Sequence, residues 1–480
     1  MNDRKGFGSN FGFLMAAVGS AVGLGNIWGF PNKMGANGGF PFLILYLALA
    51  LCCGVIIMLG ELALGRKTGH GAVGAYQSIS KRFKWLGWLG IAAAALIFSF
   101  YSALGGYCLR YVVVNFGNLI GAEFGTNGVG GADVFQGLLS QPDVSIAFAL
   151  AFMLITMLVV MCGVGGGIER VCSVGMPALF FILIICIIRS CTLPGAADGL
   201  KYMFVPGWAV ANGIIDEAPG FWRVLTAAGG QMFFSLSLGA GVMITYGSYL
   251  DKKQDLGKST MIIVGMDTVV ALMAGLCVIP GRFALDPNGA LGGPELLFIT
   301  MQNVFDKMGP AGPVFGILFY LLVFFAAISS SISMLEVIVA HFCDKAREKG
   351  KGDRRKLYSA IAVVICAALC ALVCADGMGS NHISPAELLG LAGAKLPGWS
   401  TSWLGLFDSV AEGLLMPLGA LLMCLMISWE LKPDVLRQEI LLNGENRPWV
   451  YDFFRLCVKY ITPLCMLMIL YGQISDFFIA

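Results

Sequence analysis

Charge is scarce in this 480-residue chain: Asp, Glu, Lys and Arg make up 12% of it, about half the share of an average soluble protein. With a formal net charge of only +2, this balance argues against a nucleic-acid partner. Histidine is rarer still, with three copies, and His70, His341 and His382 fall at loop positions or helix ends without matching partners. No catalytic His, Ser or metal constellation sits within the apolar runs, which argues against an enzyme. Repeated filter loops and a continuous polar pathway, the marks of a channel, are also missing. Cysteine is abundant, at fifteen, yet no C-x-x-C or Cys/His ligand spacing occurs. Most of these thiols, such as Cys52, Cys53, Cys366, Cys370 and Cys374, lie inside apolar runs, where cysteine acts as a small hydrophobe.

What the chain has instead is hydrophobic length, with 58% apolar residues. A membrane-spanning helix needs roughly 20 predominantly apolar residues. Eleven such runs begin near Phe11, Phe40, Trp85, Val144, Arg170, Phe221, Lys258, Pro310, Leu357, Phe407 and Phe453. No short leader with a small-residue cleavage site precedes the first, so that run is expected to be retained. Lysine and arginine set the orientation. With the amino terminus inside, inner segments hold 23 of the 31 basic residues, including a dense cluster from Lys345 to Lys356. An odd number of spans then places the carboxyl terminus outside a plasma (inner) membrane. The longer connections 118–143, 192–220, 281–309 and 376–405 carry few basic residues and are candidate covers for an outer vestibule. The alternating charges of 344–356 are expected to be solvated and drawn to anionic lipid.

Two of the runs are built to break. The first reads Gly19-Ser20-Ala21-Val22-Gly23-Leu24-Gly25-Asn26-Ile27-Trp28-Gly29-Phe30-Pro31, and the sixth carries Ser235-Leu236-Ser237-Leu238-Gly239-Ala240-Gly241. Glycine weakens a helix and lets backbones approach closely, so both runs can expose carbonyls and amides midway across a bilayer, where no water satisfies them. They stand five helices apart, so the second set of five runs upside down relative to the first. Matching interrupted spans in two inverted halves point to the binding site of a secondary transporter. The expected fold is therefore all-α, eleven transmembrane helices in a five-plus-five inverted repeat with discontinuous helices 1 and 6. Repeat one covers about 8–192, repeat two about 220–431, and an extra helix about 453–478.

Further segments carry a resemblance. Gly60-Glu61-Leu62-Ala63-Leu64-Gly65-Arg66 ends the second run, Gly167-Ile168-Glu169-Arg170 precedes the fifth, and Gly230-Gln231-Met232-Phe233-Phe234-Ser235-Leu236-Ser237-Leu238-Gly239 lies in the sixth. Ala326-Ala327-Ile328-Ser329-Ser330-Ser331-Ile332 lies in the eighth. Together with the first run, in order and at matching spacing, these segments resemble the neurotransmitter:sodium symporter family over most of the chain. The resemblance implies the LeuT-type fold and two sodium sites. One would use the Ala21 carbonyl, Asn26, Ser235 and Asp267, completed by a substrate carboxylate. The other would use the carbonyls of Gly19, Val22 and Ala326 with the hydroxyls of Ser329 and Ser330. Such all-oxygen shells suit a hard cation. Apart from the family, Ser329 and Ser330 would read as packing serines and Asn26 as interhelical glue.

Asp267 is the most telling single charge, because an intramembrane aspartate costs roughly 3 kcal/mol unless paired or facing an aqueous site. Many animal family members have asparagine there and need chloride; a carboxylate fits the chloride-independent bacterial pattern. Glu61 is assigned to bracing the unwound backbone of the sixth run. The resemblance has Tyr101 donating to the substrate carboxylate, joined by the amides of Leu24 and Gly25, at a half-helix end that favours an anion. Gly23 stands where biogenic-amine members carry an aspartate, so the ligand brings its own acid group. Ala21, Ile97, Phe234, Ser235, Ser237, Ala240, Ser330 and Met334 would complete the pocket, leaving room for a branched or aromatic side chain.

Gating shows the clearest departure from the family pattern. The outer arginine is replaced by Gly29, so Lys33, one turn farther out, is expected to reach Asp408, with the weaker geometry of a point charge. Tyr101 and Phe234 form the aromatic lid. Arg4 and Asp344 match the inner ion pair, with Phe7 in place of a tryptophan and Tyr249 nearby. The reading is a sodium symporter that imports a hydrophobic or aromatic L-amino acid by alternating access without chloride, as a monomer or loose homodimer in the lipid bilayer. A symporter of another small carboxylated solute, an osmolyte or gamma-amino acid, is the alternative, and a channel a more distant one.

Overall fold

A computed structural model describes residues 6–478 apart from 127, 292, 353, 392–397, 432–433 and 442–447. Among these residues nine helices are long and apolar enough to cross a membrane: Phe40–Thr68, Lys81–Ile120, Pro142–Met161, Val164–Cys191, Leu256–Leu285, Gly309–Glu348, Arg355–Asp376, Trp403–Glu430 and Pro448–Ser475. A tenth, span one, is split into Asn10–Ala21 and Gly25–Ala36, bent by 43°. Span six is cut into Phe221–Leu236 and Val242–Gly247, neither piece long enough alone. Counting both broken spans gives the eleven expected, each starting within six residues of its sequence-read start.

Local chemistry explains both breaks. In span one, Val22 leaves the helix in an extended conformation with φ −74° and ψ 100°. The chain re-enters through a wide π-type turn at Gly25–Gly29. Pro31 follows directly and has no amide hydrogen to give, so a widened turn just before it relieves the missing bond and the ring's clash. In span six, Ser237 adopts a left-handed φ of 52°, and Gly239 and Gly241 follow at 78° and 73°. Three such residues within five cannot continue a right-handed helix. A side chain on Gly239 would also strike the Met416 carbonyl at 2.2 Å, so span ten packs directly against the bared backbone.

The inner half of span one is held at its start. Ser9 accepts from the Gly12 amide at 2.9 Å, and Glu169, at the head of span five, accepts from the Gly8 amide at 2.7 Å and the Ser9 hydroxyl at 3.0 Å. The carboxylate thus holds the capping serine and the amide just before it, fixing the entry to the helix. A Cβ on Gly12 would lie 1.8 Å from Glu169 Oε1, so the contact requires glycine there.

Candidate functional site

The span-one break bares backbone groups that three other spans satisfy. The Gly23 amide donates to Asn26 Oδ1 at 2.9 Å, and the Leu24 amide donates to the Tyr101 hydroxyl oxygen at 2.6 Å. The Gly25 carbonyl accepts from Gln231 Nε2 at 2.6 Å. On span six, Ser237 Oγ donates to the Ser20 carbonyl at 3.0 Å, joining the two breaks. Glu61, fully buried on span two, accepts from the Gly239 amide at 2.7 Å, with the Met243 and Ile244 amides facing the same carboxylate. An acceptor there satisfies the bared helix start.

Asn26, Ser235 and Asp267 converge, all fully buried. Asn26 Nδ2 donates to Asp267 Oδ1 at 2.7 Å and to its carbonyl at 3.0 Å, while Ser235 Oγ lies 3.0 Å from both carboxylate oxygens. Tyr46 also donates to Asp267 Oδ2 at 3.2 Å. Sequence reasoning assigned no role to Tyr46 or Gln231. A hydroxyl in the apolar second span was the available signal for the first, and an amide within the quoted span-six segment for the second. Ala21 ends the inner half-helix and is also buried.

A second group of oxygens forms where span eight passes the break. Ser329 Oγ lies 3.0 Å from the Ala326 carbonyl and 3.4 Å from that of Val22. Ser330 Oγ lies 3.4 Å from the Gly19 carbonyl and 3.1 Å from that of Ser20. The five groups named from the resemblance are therefore neighbours, and all are hard oxygen donors of the kind an alkali cation takes. If a cation uses this set, Ser329→Ala should weaken it by about tenfold, the worth of one oxygen contact at roughly 1.4 kcal/mol. The sodium dependence of uptake measures this, and an unchanged half-saturating concentration counts against the assignment.

At Gly23, Tyr101 and Ser330 close in on the span-one backbone. A Cβ there would meet Ser330 Oγ at 2.2 Å and the Tyr101 hydroxyl at 2.5 Å. Tyr101 and Phe234 meet edge to face with ring centroids 6.0 Å apart. Ile97, Ala240 and Met334, the apolar side chains expected at the site, are buried.

The gates depart from expectation on the outer side. Lys33 meets the carboxylate of Glu412 rather than Asp408. Asp408 stands one turn earlier in the same cleft of about 290 Å3, against Glu412. Four-residue spacing puts both acids on one face of span ten, and the widened turn Ser409–Leu415 brings the second one round to span one. A double-mutant cycle should give about 1 kcal/mol of coupling between Lys33 and Glu412 and less between Lys33 and Asp408. On the inner side, Arg4 lies outside the described residues. Asp344 accepts from the Gly71 amide at 3.0 Å, and Tyr249 donates to Glu336 at 2.6 Å. Phe7 packs edge-on against Tyr249 and Tyr246.

Comparison with known proteins agrees with this architecture. A family model described as the sodium:neurotransmitter symporter family matches residues 4–127 and 132–478. The sodium-dependent transporter YhdH of Bacillus subtilis is 36% identical over 477 residues, covering 97% of each chain. The sodium- and chloride-dependent GABA transporter ine of Drosophila melanogaster is 24% identical over 69% of this chain and 38% of its own. Among solved structures, MhsT in complex with L-phenylalanine superposes with a TM-score of 0.83 and 34% identity, covering 98% of this chain and all of the other. A near-full-length family match, a full-length sodium-dependent relative and a shared split-helix fold together show that this multi-pass membrane chain belongs to the sodium:neurotransmitter symporter family and is a transporter, not an enzyme.

Proposed function

We propose that the protein imports a hydrophobic or aromatic L-amino acid together with sodium, without needing chloride. The observation that carries this reading is the bare backbone at Gly23 against the Tyr101 hydroxyl, with the Leu24 amide donating to that hydroxyl and Asn26 bonded to a buried Asp267. Bare backbone beside these polar groups suits a ligand that brings its own carboxylate, and the buried apolar residues Ile97, Ala240 and Met334 suit a large side chain. Asp267 supplies negative charge beside Asn26 and Ser235, which removes the call for an external anion. The phenylalanine bound by MhsT supports the same substrate class.

Two sodium ions are proposed. The first takes Ala21, Asn26, Ser235, Asp267 and the substrate carboxylate, and the second takes Gly19, Val22, Ala326, Ser329 and Ser330. Both stabilise the conformation in which Tyr101 and Phe234 cover the ligand and Lys33 is paired across the outer cleft. Release follows when the inner half of span one swings away, with Asp344 and Tyr249 at that exit. The distribution of basic residues supports an amino terminus in the cytoplasm and a carboxyl terminus outside the plasma (inner) membrane. The gradient and membrane potential drive the cycle, one charge being worth about 2.3 kcal/mol per 100 mV.

A thermal-shift screen of the twenty amino acids with and without sodium tests the substrate. One or a few large apolar amino acids should stabilise the protein in sodium only, by about 2.7 kcal/mol at a hundredfold excess over Kd. Stabilisation by none of them, but by a betaine or a gamma-amino acid, would favour the other carboxylated solutes.

A further inference from the structure

At the end of the bundle that carries Lys81, Arg82 and Lys84, a groove of about 530 Å3 opens between the connection of spans two and three and the end of span ten. Its walls are Phe83, Leu425 and Trp429, and its mouth carries Arg82 and Glu430. That volume lies within the usual range for small-molecule sites, about 300–1,000 Å3. The groove is framed by three elements fastened to one another. Ser80 donates to the Glu430 carboxylate, and Ser428 donates to the Val458 carbonyl of span eleven at 3.0 Å.

Its charges are arranged on aromatic rings rather than on acids. Lys459 places its ammonium 5.2 Å from the Trp429 ring centroid and 5.1 Å from that of Tyr460, and Arg82 lies 6.0 Å over Phe83. Among the described residues neither cation has a carboxylate within ion-pair distance, and Glu430 is the one acid on the groove's lining. Trp429 is 68% exposed, a large apolar surface beside the Lys459 ammonium. Exposed tryptophan and tyrosine with adjacent lysine mark the headgroup level of a bilayer. An apolar trough with Arg82 and Glu430 on its lining and the Lys459 ammonium against its Trp429 wall fits a ligand with an acyl tail and a negative head.

We propose that this groove seats an anionic phospholipid, its acyl chain along Leu425 and Phe83 and its phosphate between Arg82 and Lys459. Basic pockets between membrane helices recognise lipid headgroups in this way. The lipid would bridge the connection of spans two and three to spans ten and eleven, away from the amino acid pocket.

Native mass spectrometry of the full-length protein in neutral detergent, titrated with dioleoylphosphatidylglycerol or dioleoylphosphatidylcholine, tests the proposal. Phosphatidylglycerol should be retained in preference, and Arg82→Gln with Lys459→Gln should weaken its retention about thirtyfold, two cations at about 1 kcal/mol each. Glu430→Gln should strengthen it about fivefold by removing the one repelling charge. Trp429→Ala should weaken both lipids, and Lys349→Gln, away from the groove, should change neither. Equal retention of the two lipids overturns the proposal, as does an unaltered preference in the Arg82/Lys459 variant. Displacement of the lipid by glycerol phosphate alone would reassign the site to a free phosphate and equally overturn it.

Discussion

Asp267→Asn is expected to lower sodium-dependent uptake in chloride-free medium by about a hundredfold or more. The carboxylate is fully buried and gathers donors from Asn26 and Ser235, which are proposed to surround the first sodium with it, and from Tyr46. Removing one member of a buried charge pair costs about 3–5 kcal/mol, because the partner stays buried and uncompensated. An asparagine keeps the size and one acceptor but gives up the charge. Uptake should therefore be compared in gluconate and chloride media. Partial recovery of the asparagine variant by chloride would show that a missing negative charge is the defect. Unchanged uptake in gluconate would remove Asp267 from the ion site.

Gly23→Ala is expected to reduce amino acid uptake by roughly tenfold to a hundredfold while leaving the fold in place. The new methyl carbon would lie 2.2 Å from Ser330 Oγ and 2.5 Å from the Tyr101 hydroxyl, and neither neighbour is free to retreat. Tyr101 is held by the Leu24 amide, and Ser330 by the carbonyls of Gly19 and Ser20. Overpacking such a site costs about 1–3 kcal/mol, and here the strain falls on the groups proposed to receive the substrate carboxylate. Binding of a radiolabelled amino acid to purified protein, with thermal stability measured in parallel, separates the effects. A variant with normal affinity would show that the backbone at Gly23 and the Tyr101 hydroxyl do not receive the carboxylate.

Much of this arrangement was legible because membrane chemistry is strict. The apolar runs give the spans, since few other structures satisfy a backbone in lipid. Glycine and serine at positions 19–29 and 235–241 mark the breaks, because no continuous helix tolerates that composition cheaply. What stayed hidden involved a choice between near-equivalent positions or a long-range contact. Asp408 and Glu412 share one face of span ten, so sequence spacing could not say which of them Lys33 would meet. Tyr46 reads as one aromatic among several in the second run, yet its hydroxyl reaches Asp267, far along the chain. Glu169 was quoted for its resemblance, but its contact with Gly8 and Ser9 spans about 160 residues and leaves no local trace.

Gly19 to Asn26 form a single short stretch of backbone, and it touches both oxygen clusters and the space beside Gly23. Any occupant of one of these three places stiffens the ribbon that the other two depend on. Heterotropic linkage follows without a signalling route: the entropy of ordering is lost at the first arrival, and later arrivals find the segment set. The cross-term must also be symmetric, so whatever factor the cation adds to amino acid affinity, the amino acid returns to the cation.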